Sequence, residues 1–300
     1  MIVITGATGN TGGVIAEKLL AAGEKVRAVG RSANKLEKFK QKGADVFVGD
    51  VADAEAMTRA LTSADAAYLM IPPDMKAANV AAHQDSVINA LSAAVEKAGL
   101  KHVVLLSSIG ADKAEKVGPI KGLHRFEQRL NRIANLNALY LRPGFFMENL
   151  FQYIGLIKSM GMIAGPGRGD LPGPWIATRD IGAVAAEALR KRDFSGKQVR
   201  ELLGPRDYTM NEVAKIAGKA IGKEKLSYSK VPALMVKPAM AAMGLSSDII
   251  DNIIEMYEGA DAGLVAPREP RSTQNTTPTT LEQFVAEVFL PAYQGKSAGA

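Results

Sequence analysis

The feature that most constrains this chain is the glycine-rich segment TGATGNTG, residues 5–12, which follows a short β-branched run and opens an Ala-rich amphipathic stretch. It places Gly6, Gly9 and Gly12 at three-residue intervals between a predicted strand and a predicted helix. In a βαβ unit such glycines allow the tight turn, the approach of a pyrophosphate, and close packing of the helix on the sheet. A glycine-rich turn without a ligand is the alternative, but the strand before it and the helix after it favour a dinucleotide site.

The same loop offers polar groups and a helix end to the phosphates. Thr8, Asn10 and Thr11 place hydroxyl and amide groups between the glycines. The N-terminus of the predicted helix presents free N–H groups and a partial positive charge, and both attract phosphate. We therefore expect these side chains to border the cofactor.

Strand-like and helix-like runs alternate from Met1 to about Arg142. This alternation is typical of a parallel sheet covered by helices. Right-handed crossovers then predict an α/β fold, a Rossmann-type doubly wound sheet with its ligand crevice at the carboxyl ends of the strands. The predicted strands are 2–5, 25–30, 45–49, 66–71, 102–107 and 138–141, and the predicted helices are about 12–22, 33–42, 53–61, 76–99 and 120–135.

The pattern changes after Arg142. We predict an NAD(P)-binding domain at 1–150, its sheet completed by residues 176–203, and a smaller, mostly helical substrate-side subdomain at 151–290. In residues 165–174, GPGRGDLPGP, seven of ten residues are Gly or Pro, which predicts irregular structure. The polar segment 263–278 is expected to be mobile and residues 291–300 to form a flexible tail.

The end of the second predicted strand distinguishes NADP from NAD. A carboxylate there accepts hydrogen bonds from a free ribose 2′-hydroxyl, whereas a cation binds a 2′-phosphate. The chain reads AVGRSANK at this point, with Arg31 and Lys35 and no acidic residue. A charge-assisted hydrogen bond contributes about 1.5–3 kcal/mol, so Arg31 favours NADP by roughly ten- to a hundredfold. A solvated surface arginine is the alternative.

Two later strand ends are expected to complete the cofactor site. Asp50 and Val51 follow the third strand, where they can meet an adenine edge, and Asp53 is a candidate cap of the next helix. Ile71 and Pro72 follow the fourth strand and supply apolar surface near the ribose and nicotinamide. Core packing explains Ile71 equally well.

Composition excludes several other classes of site. The chain has no Cys, which removes disulfides, thiolate metal sites and cysteine nucleophiles. Its three His residues include no pair at helical ligand spacing, so no metal is predicted. The net charge of +6 favours anionic ligands, but no recognition motif predicts nucleic acid binding. No apolar run approaches the roughly 18 residues of a membrane-spanning helix, and a strand begins at Ile2, so we expect a cytoplasmic protein without membrane contact.

Seven segments of the chain match motifs of one protein family and occur in the same order as in that family. They are VITGATGNTGG, VGR, GDVAD, HVVLLSSIGA, HRFEQRL, LYLRPGFFMEN and ATRDIGAVAAEAL, which together span most of residues 1–220. In these segments the chain resembles the NmrA-like family of atypical short-chain dehydrogenases/reductases, and within it the bacterial NADPH-dependent quinone or azo reductases. The resemblance implies a Rossmann-type domain that binds NADP, with the nicotinamide near Ser107 and the 144–149 loop.

Carried over by motif, the resemblance places Gly144, Phe145, Phe146 and Asn149 at the border of nicotinamide and substrate. Gly144 follows a predicted strand at its carboxyl edge, which is where ligands bind in such sheets. Packing between the two domains is the alternative for the phenylalanines.

The catalytic residues are less clearly marked. The wider superfamily uses a Tyr-x-x-x-Lys dyad, but no Tyr of this chain has Lys four positions later. The segment VGPIK puts Val117 in the Tyr position and Lys121 in the Lys position, so alcohol–ketone chemistry by that dyad is not expected. Reduction of a quinone or azo bond demands less, because the acceptor takes the hydride readily and water or one donor supplies the proton. Lys121 and His124, one turn apart, are the candidate catalytic residues, with a solvated helix face as the alternative.

Two functions follow from these observations. One is an NADPH-dependent oxidoreductase that transfers hydride to a small electron-poor acceptor such as a quinone or azo compound. The other is a non-catalytic NADP(H) sensor acting through a protein partner, because the NmrA-like family includes such regulators and the missing Tyr fits them. A sugar-nucleotide epimerase or dehydratase ranks last, since it normally requires that Tyr. Assembly as a homodimer is left open.

Overall fold

A seven-stranded parallel sheet forms the centre of the molecule. The computed structural model describes residues 1–296. The strand order in the central sheet is β10-β6-β5-β4-β1-β2-β3, and every neighbouring pair is parallel. The strands are β1 (Ile2–Ile4), β2 (Val26–Gly30), β3 (Asp45–Val48), β4 (Ala66–Leu69), β5 (His102–Leu106), β6 (Asn137–Pro143), β7 (Phe145–Phe146), β8 (Ile163–Gly165), β9 (Gly173–Ile176), β10 (Lys197–Leu202), β11 (Asp207–Tyr208) and β12 (Tyr228–Lys230).

The strand order creates a switch point beside β1. From β1 the chain builds β2 and β3 on one side, then crosses to β4 on the other side and continues to β5 and β6. In doubly wound sheets the ligand crevice lies at this reversal, beyond the carboxyl ends of the strands. The predicted α/β fold is therefore confirmed.

Helices cover both faces of the sheet. They are α1 (Asn10–Ala21), α2 (Ala33–Lys40), α3 (Ala54–Leu61), α4 (Val80–Lys97), α5 (Ile120–Asn131), α6 (Ile154–Met160), α7 (Thr178–Lys191), α8 (Met210–Ala220), α9 (Ala233–Ala242), α10 (Ser247–Asp261), α11 (Leu281–Phe284) and α12 (Leu290–Tyr293). On one face Ile15 of α1 and Ile181 of α7 pack against the strands, and on the other Met57 of α3, Leu91 of α4 and Phe126 of α5 do so. The two hydrophobic cores, one on each face of the sheet, hold the helices in place around the crevice.

The part of the chain after β6 has a core of its own. Met147 and Leu150, in a 3₁₀ segment spanning Met147–Tyr153, pack with Trp175, Val213 and Phe284. Two small sheets, β11-β9-β7 and β12-β8, frame this core. This core is formed by residues that follow β6 in the chain, and the first of them leave the main sheet at its carboxyl edge.

The glycine- and proline-rich segment is more regular than predicted. Gly173 and Pro174 form the start of β9, where they pair antiparallel with Tyr208 and Asp207. The expectation of irregular structure was wrong here because the partner strand lies far along the chain and supplies the hydrogen bonds that local sequence does not.

Two segments that are expected to be mobile contain residues with defined contacts. In the segment 263–278, Asn275 and Thr277 are buried, and backbone hydrogen bonds join them to Leu203. In the expected tail 291–300, α12 continues to Tyr293, whose ring stacks on Phe289. The final part of that expectation, residues 297–300, lies outside the described residues.

The described residues 1–296 lack two kinds of feature. They contain no helix long and apolar enough to cross a membrane. They also contain no cluster of His, Asp and Glu side chains that could hold a metal ion.

Candidate cofactor and substrate site

The glycine loop forms a backbone cradle between β1 and α1. Gly6 has a φ of 63°, and its carbonyl accepts a hydrogen bond of 2.9 Å from the Gly9 N–H, which closes the turn. A Cβ atom on Gly12 would lie 2.3 Å from the Gly6 carbonyl oxygen. Only glycine therefore lets α1 approach the turn this closely.

The cradle has the donors that a pyrophosphate needs. Helix α1 follows Gly9 without a side-chain cap, so its first N–H groups are left for a ligand. Thr8 and Asn10 are exposed beside them. The Thr11 side chain instead turns into the core, where its hydroxyl lies 2.8 Å from the Tyr68 hydroxyl. The loop fits a dinucleotide through its backbone and through Thr8 and Asn10.

The predicted adenosine contacts lie along the ends of β2 and β3. Arg31 and Lys35 are exposed, and within residues 1–296 neither side chain has an acidic partner at ion-pair distance. Asp50 accepts a hydrogen bond of 2.9 Å from the Ala52 N–H, and Val51 is buried. Asp53 caps α3 by accepting from two backbone N–H groups.

A cavity of about 350 Å³ lies beyond the carboxyl ends of β4 and β5 and against Phe146; we name it the inner cavity. Most of its wall is apolar. It brings together Ile71, Pro72, Ser107 and Phe146, which the sequence placed near the nicotinamide. The cavity lies on the opposite side of β1 from Arg31 and Asp50. The residues predicted to contact the adenosine and those predicted to contact the nicotinamide therefore lie on opposite sides of the switch point.

Ser107 is held by a buried ion pair. Its hydroxyl donates to Glu127 Oε1 at 2.5 Å, and Arg142 binds both carboxylate oxygens, at 3.0 and 2.5 Å. The three residues are 3%, 2% and 7% exposed. Burial opposes the charge on Arg142, but its hydrogen bond to Glu127 and the negative charges of Glu127, Asp112 and Glu201 together raise the pKa of Arg142. Because the carboxylate only accepts, the Ser107 proton is committed to it and the serine lone pairs are left to accept from a ligand.

A second cavity, of about 230 Å³, adjoins the inner cavity at Ser108, Ile120 and Phe146; we name it the middle cavity. Its wall includes Gly144, Phe145 and Asn149. The four residues carried over from the family motif thus all border this cavity. A Cβ atom on Gly144 would lie 2.2 Å from the Pro174 carbonyl oxygen, so glycine is required for the loop to pass β9.

The loop carrying these residues is fixed to α7. Glu148 accepts hydrogen bonds of 3.0 and 3.1 Å from the Thr178 N–H and one of 2.5 Å from its hydroxyl. Burial raises the pKa of Glu148, and the bonds from Thr178 oppose that rise. The contact stabilises the start of α7 and sets the position of the Phe145–Asn149 backbone.

The two candidate catalytic residues face other partners. Lys121 Nζ donates to Glu255 Oε2 at 2.6 Å, and His124 Nδ1 lies 2.8 Å from the Ala111 carbonyl oxygen. Neither residue lines the inner or the middle cavity. The structure therefore does not bring them to the residues expected around the nicotinamide.

One imidazole that sequence reasoning missed does reach the inner cavity. His83 lies on its wall, with Nε2 at 2.9 Å from the Pro72 carbonyl oxygen. A carbonyl only accepts, so this contact places a proton on Nε2. The available signal was the position of His83, in the first turn of a helix that follows the Ile71–Pro72 strand end.

The backbone cradle at the switch point defines the class: a Rossmann-type protein that binds a dinucleotide with a nicotinamide end. The particular family follows from comparison. The model of the NmrA-like family matches residues 1–285, and the chain belongs to that family.

Relatives and solved structures agree with this assignment. The chain is 30% identical over 260 residues to the NAD(P)H azoreductase of Xenophilus azovorans, covering 86% of each chain. It is 27% identical over 297 residues to quinone oxidoreductase 2 of Escherichia coli (strain K12), covering 96% of this chain and 99% of the relative. The structure of an Escherichia coli NADPH-dependent quinone oxidoreductase complexed with NADPH has a TM-score of 0.75 at 24% identity, covering 96% and 100% of the two chains, and shows the same fold.

Proposed function

We propose that this protein uses NADPH to reduce a planar, electron-poor acceptor such as a quinone or an azo compound. The observation that carries the proposal is the inner cavity, which is mainly apolar and lies over the strand ends that take a nicotinamide in this fold. An apolar wall keeps water away from a hydride in transfer. The adjoining middle cavity gives the acceptor a place beside the nicotinamide.

Relationship supports the general reaction. The chain is an NAD(P)H-dependent oxidoreductase acting on a small molecule, as its azoreductase and quinone oxidoreductase relatives are named. The choice of a quinone or azo acceptor is our extension of those names to this chain. It agrees with the lack of a Tyr-x-x-x-Lys dyad, because such acceptors need no strong general acid.

Each part of the site has a defined task in this proposal. Residues 1–150 with β10 bind the dinucleotide, and residues 151–290 cover the acceptor side. Arg31 and Lys35 bind the 2′-phosphate and so favour NADP over NAD. Ser107 accepts a hydrogen bond from the nicotinamide amide or its ribose. When bound, NADPH supplies the hydride.

The proton that completes the reduction needs a separate source. His83 lines the inner cavity, so either its imidazole or a water molecule supplies the proton. Lys121 and His124 line neither cavity, so they serve this role only through an intervening water.

The test is the oxidation of NADPH and NADH by the purified protein with 1,4-benzoquinone, an azo dye and a simple ketone. We expect turnover with the quinone or the dye, faster with NADPH than with NADH, and none with the ketone. A parallel titration measures NADPH binding by fluorescence. Tight binding with no turnover on any acceptor would overturn the reductase and leave the dinucleotide sensor.

A further inference from the structure

A third cavity, of about 140 Å³, adjoins the middle cavity behind Phe145; we name it the side cavity. The two share Phe145, Asn149, Pro174 and Val265 in their walls. The remaining wall comes from the 3₁₀ segment, the glycine- and proline-rich loop 166–172, β9, β11, the start of α8, β12, α10 and residues 263–267. A molecule in the middle cavity therefore has a neighbouring space into which part of it can extend.

The side cavity is lined by aromatic rings. Tyr153, Trp175, Tyr228 and Tyr257 surround it, and Phe145 separates it from the middle cavity. The Phe145 and Trp175 ring centroids are 6.0 Å apart with planes inclined at 30°. Aromatic rings prefer offset or edge contacts with other rings, so this lining selects a flat aromatic guest.

Glycines in the covering loop keep these rings in place. A Cβ atom on Gly167 would lie 2.6 Å from Tyr257 Cδ1, and one on Gly169 would lie 2.6 Å from Tyr228 Cδ1. The loop backbone thus packs directly on the two rings. Any side chain at either position would displace a wall of the cavity.

Tyrosine hydroxyls supply neutral polar groups to the wall. The Tyr228 hydroxyl donates to the Gly167 carbonyl at 2.8 Å. Burial raises the pKa of Tyr153, and the neighbouring Tyr257 hydroxyl raises it further; burial also raises the pKa of Tyr257. Both phenols stay protonated near neutral pH. The Tyr257 hydroxyl in the cavity wall therefore has a proton that it can donate to a ligand.

The charged groups at the rim are already compensated. Asp261 binds Lys230 at 2.8 Å and accepts from the Arg168 N–H, while the Arg168 guanidinium binds Asp170. A charged guest would have to break one of these contacts. A neutral guest leaves them intact.

The volume sets the size of the guest. An apolar cavity of about 150 Å³ holds one benzene molecule, and the side cavity measures about 140 Å³. We propose that the side cavity is a binding subsite for one neutral aromatic ring that carries a hydrogen-bonding substituent such as a hydroxyl or amino group. Resting on the proposed function, this makes the acceptor a two-part molecule, with its reducible group in the middle cavity and an aryl ring beside Trp175.

Binding alone provides the first test. Trp175 is the single Trp of the chain, so its fluorescence reports directly on the subsite. With 4-nitrophenol as the probe, at a mildly acidic pH where its hydroxyl is protonated, we expect saturable quenching. Ala266→Phe, at an exposed position in the cavity wall, should raise the Kd at least tenfold by filling the space, whereas the matched control Ala266→Ser should keep the wild-type Kd.

A second variant tests the hydroxyl. Tyr257→Phe should raise the Kd for 4-nitrophenol about fivefold, because one hydrogen bond is lost, and it should leave the Kd for nitrobenzene unchanged. Melting temperatures of all variants show whether they are folded. Quenching that does not saturate, or a Kd that Ala266→Phe leaves unchanged, overturns the subsite.

Turnover provides the second test. The kcat/KM for 2-phenyl-1,4-benzoquinone divided by that for 1,4-benzoquinone should exceed ten in the native protein and fall at least tenfold in Ala266→Phe. A ratio near one overturns the subsite while the reductase stands. Saturable quenching that Ala266→Phe removes, without turnover of any quinone, supports the subsite while the proposed function fails.

Discussion

Arg31 is the residue whose charge matters most for the choice of cofactor. It is exposed at the end of β2, and in the described residues it has no acidic partner, so its guanidinium is free for the 2′-phosphate that we propose it binds. Arg31→Glu replaces attraction with repulsion. We expect the NADPH/NADH affinity ratio to fall by roughly a hundredfold or more, since a charge-assisted bond of about 1.5–3 kcal/mol is lost and a like charge is added.

Fluorescence titration with both dinucleotides gives that ratio. The matched control is Lys38→Glu, which makes the same charge change on α2 where Lys38 faces Glu17. An unchanged ratio in Arg31→Glu would rule out contact with the 2′-phosphate.

A substitution of Ser107 tests whether its hydroxyl oxygen accepts a hydrogen bond from the cofactor. Ser107→Ala removes the lone pairs offered to the cofactor, and we expect NADPH affinity to drop about five- to tenfold with a small fall in melting temperature. Glu127→Gln leaves Arg142 buried without its counter-ion, which costs about 3–5 kcal/mol and lowers the melting temperature much more. Calorimetric titration and thermal unfolding separate the two effects. Equal NADPH affinity in Ser107→Ala and the native protein would contradict the role.

The sequence supports only part of this residue-level chemistry. The steric need for glycine at Gly6 and Gly12 is local, so spacing between a strand and a helix is enough to predict it. The contact of Ser107 with Glu127 and Arg142 joins three separate elements. Similarly, helical spacing predicts that Lys121 and His124 share a face, but the partner of Lys121 comes from α10, far along the chain.

At the level of elements, the junction of β1 and α1 controls the cofactor site. Gly12→Ala puts a Cβ atom against the Gly6 carbonyl and must push α1 away from the turn. We expect NADPH affinity to fall at least tenfold, because a shift of the helix start misdirects the N–H groups that bind phosphate.

Gly13→Ala is the matched control for that change. Its added Cβ atom would lie 3.4 Å from the Ala7 carbonyl oxygen, an ordinary contact, and alanine favours the helix by roughly 0.5–1 kcal/mol. Its NADPH affinity should match that of the native protein. If both variants bind NADPH normally, the glycine loop does not hold the pyrophosphate.

Local periodicity predicted the elements of the main sheet closely. Each predicted strand before Arg142 overlaps a strand of the structure, because short apolar runs rich in strand-forming residues leave a clear pattern between the helices. The small sheet β11-β9-β7 was not predicted. Its strands are two to four residues long and contain Gly173 and Pro174, so pairing with distant partners, rather than propensity, forms them.

For the whole molecule, the strand order explains why one crevice serves both cofactor and acceptor. The glycine cradle and the inner cavity flank the switch point beside β1, and the later core closes the middle cavity through Phe145 and Asn149. The fold class and the position of the crevice follow from the alternation of strands and helices. The cavities do not, because their walls combine residues from opposite ends of the chain, such as Ser108 and Val265.

This arrangement makes cofactor binding a stabiliser of the entire fold. A ligand that binds only the folded protein at 100 times its Kd adds about 2.7 kcal/mol to the free energy of unfolding. For a chain of this length we expect NADPH to raise the melting temperature by about 5 °C, in a single transition because the cores adjoin at the crevice. Differential scanning calorimetry measures the rise in melting temperature and shows whether there is one transition. NADH at the same concentration should raise the temperature less, and Gly12→Ala should respond weakly to NADPH. Any ligand that binds tightly to the folded protein alone must raise its melting temperature. If NADPH leaves the melting temperature of the native protein unchanged, the crevice is not an NADPH site.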